Sequence, residues 1–89
     1  MRGYPKISEF FGITIALYHK DHSPPHFHAL YNEDEASFVI DNLKLLKGKL
    51  PRRVISMVLE WAFLHREELK QEWELAREHK TLFWIEPLE

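Results

Sequence analysis

Hydrophobic and polar residues alternate along the first half of the chain, then change period. Ile13, Ile15 and Leu17 share one side of a two-residue repeat. Their β-branched character predicts a first strand over 13–18, whose start reaches back toward Phe10. The polar loop after it ends in Pro24-Pro25, which cannot donate to a ladder and stiffens the approach to the next strand. In that second strand Phe27, Ala29 and Tyr31 fall on one face, and His26, His28 and Leu30 on the other. Asn32-Glu33-Asp34 predicts a turn, 36–40 a third strand, Asp41-Asn42 a hairpin, and 43–47 a fourth strand closed by Gly48. Strands joined by such short connections must pair antiparallel, because parallel pairs need long crossovers.

From Arg52 to Lys80 there is no glycine or proline, and the period becomes helical. Pro51 suits a first helical position. Val54, Val58, Trp61, Ala62, Leu69, Trp73 and Ala76 form one stripe at three- and four-residue steps. One straight helix of that length would run roughly 40 Å at 1.5 Å per residue. A compact domain of this size has a radius of gyration of about 12 Å. A break near His65 is therefore expected, with a second helix starting at Arg66-Glu67-Glu68, where acidic residues suit the dipole. Leu82-Phe83-Trp84-Ile85 predicts an extended tail that covers an edge or fills a groove. The expected architecture is a single α+β domain over 1–89: a four-stranded antiparallel sheet with two C-terminal helices packed on one face.

Composition narrows the function. With 89 residues, 45% hydrophobic, including three Trp, three Tyr and six Phe, the chain holds enough apolar mass for a core. The absence of cysteine removes disulfides, thiolate metal ligands and cysteine nucleophiles. No apolar run reaches bilayer-spanning length and the amino terminus lacks a signal-peptide core, so a cytoplasmic location and no membrane partner are expected. A net charge of −2 lacks the basic excess of a duplex-DNA binder.

The densest chemistry lies in Asp21-His22-Ser23-Pro24-Pro25-His26-Phe27-His28. On a strand, His26 and His28 point the same way, with Cα atoms about 7 Å apart. His22 is brought near by the proline-stiffened loop, and Asp21 is placed to orient one ring. Three readings stand side by side. His22, His26 and His28 supply three nitrogens to a metal, with Asp21, His65 or water as the fourth ligand. Alternatively, the paired imidazoles deprotonate a ribose hydroxyl and protonate a leaving oxygen. Otherwise the rings only fix the turn. The sequence leaves metal and cofactor undetermined. His65 reads as a fourth group aimed at the sheet's histidines or as a boundary residue capping the second helix. His79 and His19 carry little.

Lys44, Lys47, Lys49, Arg52 and Arg53 place five cations within ten residues. Such a run is ordinarily a solvated face. Arg52 and Arg53, however, sit at a helix amino terminus, where the dipole disfavours cations. That mismatch makes a phosphate-contacting patch the competing reading.

Two strings carry a family resemblance: Ile7-Ser8-Glu9-Phe10-Phe11-Gly12-Ile13 and Asp21-His22-Ser23-Pro24-Pro25-His26-Phe27-His28-Ala29. Gly48-Lys49-Leu50-Pro51, Glu60-Trp61-Ala62 and His65-Arg66-Glu67-Glu68-Leu69 continue it through Trp73 to Ile85-Glu86-Pro87-Leu88. The chain resembles the bacterial domain-of-unknown-function family 4160, departing from its usual simpler ending by Phe83-Trp84. The resemblance implies an uncharacterised protein, many of whose relatives are suspected toxins of two-gene toxin–antitoxin pairs. It also implies a small antitoxin-like protein partner, similar to domain-of-unknown-function family 2442. The expected function is thus a toxin-like component acting on RNA through Asp21, His22, His26 and His28. The alternatives are a non-enzymatic interaction module and, third, a metal-dependent enzyme.

Overall fold

The computed structural model describes residues 5–18 and 22–89. Five strands and two helices follow in chain order: β1 (Lys6–Phe10), β2 (Ile13–Ala16), β3 (His26–Tyr31), β4 (Asp34–Val39), β5 (Leu45–Gly48), α1 (Arg52–Leu64) and α2 (Arg66–Arg77). The strands pair antiparallel in sequence order, so the sheet is a simple meander. The α+β class and the two helices agree with the sequence pattern. The strand count does not: the sheet has five strands, not four.

The additional strand is β1. It is joined to β2 by Phe11 and Gly12, both in the left-handed region at φ 50° and 79°. Two successive positive φ values make the tight hairpin whose twist matches the flanking strands. Phenylalanine is not a usual residue there, so the turn leaves little trace in the sequence. The later boundaries shift as well. β4 begins at Asp34, ahead of the expected start at 36, because the turn is only Asn32 and Glu33 with Asn32 at φ 54°. β5 begins at Leu45, after a connection in which Leu43 (φ 60°) donates its N–H to the Val39 carbonyl.

Register places Phe27 opposite Phe38, Ala29 opposite Ala36 and Ile15 opposite Ala29, and all of these are buried. Ile13, Ile15, Leu17, Phe27, Phe38, Val58, Trp61 and Trp73 lie in the core together, as the alternation and the helical stripe predict. Trp61 is central, its ring 5.6 Å from Phe10 and 6.0 Å from Phe27. A one-residue slip of β3 would exchange these faces, so the buried Phe27 fixes the histidines on the other side.

The helical stretch breaks at His65 (φ −122°, ψ 28°). Two short helices fit a molecule whose radius of gyration is 11.8 Å. Pro51 is the residue preceding α1 rather than its first helical position, and its carbonyl accepts the N–H of Ile55. Among the described residues no helix is long and apolar enough to cross a membrane.

Both sheet edges are protected, by different means. Beyond α2 the tail runs to β1, where Ile85 donates its N–H to the Ile7 carbonyl and accepts from the Ser8 hydroxyl. Trp61 Nε1–H donates to the Glu86 carbonyl nearby. The tail thus covers an edge, as its extended pattern suggests. At the other edge, β5 is four residues long, irregular opposite Ser37 and Phe38, and carries Lys47. Short length, a bulge and lysine discourage pairing with another strand.

Candidate active site on the outer face of the sheet

Alternation leaves the face opposite Phe27 to His26, His28, Glu35 and Ser37. Within the antiparallel ladder His28 stands between Ala16 of β2 and Ser37 of β4. Two small neighbours leave room around the imidazole, and longer side chains reach in from the flanks. Tyr18, just past β2, stacks on His28 with ring centroids 3.9 Å apart and planes 15° from parallel. Glu35 pairs with Leu30, which puts it diagonally across from His28, within reach of a long side chain. Its Oε2 lies 3.2 Å from His28 Nδ1 and accepts the Tyr18 hydroxyl at 3.0 Å.

A carboxylate only accepts, so the Glu35 contact favours the proton on His28 Nδ1. The His28 side chain is 12% exposed and that of Glu35 39%. Tyr18, His28, Glu35, Ser37, Lys47 and Gly48 line a cleft of about 460 Å³. Its size suits a small ligand or one unit of a polymer.

His26 is different in kind. It is 7% exposed, lying 5.1 Å from the His28 ring and 5.4 Å from that of Trp73. Its Nδ1–H donates to the Pro24 carbonyl at 2.6 Å, which ties the ring to the proline loop. The two histidines are therefore neighbours, but His26 is built into the wall and His28 opens onto the cleft. His22 is exposed on the loop. Asp21 and His19 lie outside the described residues.

No three His, Asp or Glu side chains among the described residues are grouped so as to hold a metal ion. His22, His26 and His28 do not form the three-nitrogen set that the metal reading needs. His65 does not join them either. Its ring lies 5.4 Å from Trp61, and its Nδ1 contacts Glu68 Oε1 across the first turn of α2. It is a boundary residue at the helix joint.

The basic run divides. Lys47 lines the cleft, whereas Arg53 donates to the Tyr31 hydroxyl at 3.4 Å, beside a residue packed on the core. Lys49 contributes its backbone N–H to the Glu35 carbonyl. Lys44 and Arg52 are exposed and are not among the lining residues.

Sequence reasoning missed Tyr18, Glu35 and Ser37 as site residues. The signal for two of them was present. A two-residue turn at Asn32-Glu33 makes paired positions sum to 65, which sets Ser37 against His28 and Glu35 one step along the same face. Starting the strand at 36 hid that arithmetic.

These features define an α+β domain with an imidazole–carboxylate pair on the face of a meander sheet opposite Phe27. A family model described as "Domain of unknown function (DUF4160)" matches residues 12–74, and the chain belongs to that family. The match spans β2 to most of α2, so the pair and the cleft lie within it. No curated protein and no solved structure gives a significant match.

Proposed function

We propose that the outer-face cleft is an acid–base site acting on RNA, with His28 as the proton-transferring group. The observation that carries this reading is the Tyr18–Glu35–His28 arrangement: one imidazole oriented by a carboxylate and stacked by a ring, at a cleft that also holds an ammonium group. The His28 imidazole takes the proton of a ribose 2′-hydroxyl, whose oxygen bonds to the adjacent phosphorus as the bond to the 5′ oxygen breaks. The leaving oxygen takes its proton from Lys47, which also offsets the phosphate charge. His26 positions His28 rather than reacting, because its ring is nearly enclosed.

In a cell such an activity fits the toxin-like half of a two-gene pair, with a small antitoxin-like partner, similar to domain-of-unknown-function family 2442, restraining it. Inducing the chain with and without its genomic neighbour, beside a His28→Ala variant, tests this. Growth arrest by the unpartnered wild type and none by the variant supports the reading. Equal arrest by a folded His28→Ala protein removes it.

A second reading, a non-enzymatic interaction module, is favoured by one feature. Phe63 and Leu64 stand adjacent at the end of α1, 67% and 64% exposed. On that reading His28→Ala keeps its effect in cells, whereas a Phe63→Ser/Leu64→Ser variant loses it.

A further inference from the structure

Glu72, on α2, is fully buried, which is unusual for an ionisable side chain. Its Oε1 accepts the backbone N–H of Phe83 at 3.2 Å, while Oε2 is buried without a hydrogen-bond partner among the described residues. Phe83 opens the tail segment that continues to Ile85 on β1 and to Glu86 on Trp61. The buried carboxyl therefore meets the tail at its first attachment after the helix. The other hydrogen bonds that hold the tail come from backbone, the Ser8 hydroxyl and the Trp61 indole, none of which titrates in the ordinary pH range. Among the described residues Glu72 is the attachment that can change charge.

We propose that residues 81–88 form a releasable strap latched by the Glu72 carboxyl: closed while that group is protonated, and loosened as it ionises. Closed, the strap shields an acid whose Oε2 has no partner among the described residues. Open, it admits water to the carboxylate and uncovers the β1 edge at Ile7 and Ser8. Burial raises the Glu72 pKa to about 7, against a lowering by the Phe83 N–H, and Glu68 one turn away raises it further. Of the charged groups on α2, Glu68 is the one that acts on it, and Glu68 contacts His65 at the helix joint. The tail carries Lys80 and Glu86, and α1 carries Glu60, all of them exposed to solvent.

Opening should increase as pH rises from about 4.5 to about 7 and then level off, since only the open form ionises at the ordinary value. The test is amide hydrogen exchange of the full chain at pH 5 and pH 8, corrected for intrinsic rates. Phe83 and Ile85 are compared with Ala29 in the central strand. The expected result is that tail protection falls at pH 8 by about a hundredfold relative to Ala29, and that Glu72→Gln abolishes the difference. Glu68→Gln should shift the midpoint to lower pH. Wild-type tail amides whose protection relative to Ala29 is the same at both pH values overturn the proposal. So does a folded Glu72→Gln protein with an undiminished pH response. The wild-type comparison decides the matter even if that variant does not fold.

Discussion

Nδ1 of His28 lies 3.2 Å from Oε2 of Glu35, the same oxygen that accepts the Tyr18 hydroxyl. One carboxylate therefore contacts both the His28 ring and the tyrosine stacked upon it. Glu35→Gln retains the shape but removes the charge. It should lower activity by about 10²–10⁴-fold, the range of a positioned acid–base group, while changing stability by less than about 1 kcal/mol, because the site is partly solvated. Steady-state RNA cleavage alongside urea unfolding checks both. Tyr18→Phe should act in the same direction but more weakly, since the stacking remains.

Gly48 links the site to the sheet's construction. Its φ is 86°, and a Cβ there would lie 2.2 Å from the Glu35 carbonyl oxygen and 2.8 Å from Ala36 Cα. Backbone cannot yield as a flexible side chain does. Gly48→Ala should cost more than the roughly 1–2 kcal/mol of the left-handed conformation alone, and it should displace β5 from β4 at Glu35. Equilibrium unfolding measures the loss, and the cross-strand amide shifts of Glu35 report the displacement.

His79 closes α2 in the left-handed region at φ 58°, with the Lys80 N–H on the Leu75 carbonyl and the His79 N–H on that of Ala76. Glycine commonly occupies this position in such a cap. His79→Gly should stabilise the fold by about 1 kcal/mol, read as a higher urea midpoint at unchanged slope.

Glu72 gives the fold a pH dependence of definite sign. Its folded-state pKa is raised to about 7, from 4.5, chiefly by burial. Between those values the native chain holds a proton that the unfolded chain has released. The stability that proton confers is whole below about pH 4.5, declines as pH rises, and is gone above about pH 7. Glu72→Gln keeps an acceptor for the Phe83 N–H and removes the charge. It should raise stability at pH 8 by about 1–3 kcal/mol and leave it nearly unchanged at pH 4. Urea unfolding at the two pH values checks this.

The sequence makes the core and the helix joint legible because burial writes a period into it. The stripe from Val54 to Ala76 and the alternation around Phe27 each demand one partner surface. The β1–β2 hairpin is not legible, since Phe11 adopts a backbone conformation that the surrounding structure enforces and local preference does not. The histidine segment points to β3 yet suggests partners adjacent in sequence. The groups that contact His28, Glu35 of β4 and Tyr18 just past β2, are distant in sequence and are brought in by the pairing of the strands. The Glu72 contact with Phe83 was hidden for another reason: Glu72 lies three residues after Leu69 and four before Ala76, beside the apolar stripe, yet a glutamate there gives no sign that the tail will bury it.

On the proposed reading His28, beside Glu35, transfers a proton during RNA cleavage. The most direct measurement is single-turnover cleavage of a short single-stranded RNA, in the presence of a chelator, by wild type, His28→Ala and a substrate lacking the reactive 2′-hydroxyl. The wild type should give products ending in a 2′,3′-cyclic phosphate, with at least a hundredfold slower cleavage by folded His28→Ala and no cleavage of the 2′-deoxy substrate. Cleavage by His28→Ala at the wild-type rate, or no cleavage by the wild type, would overturn the acid–base reading.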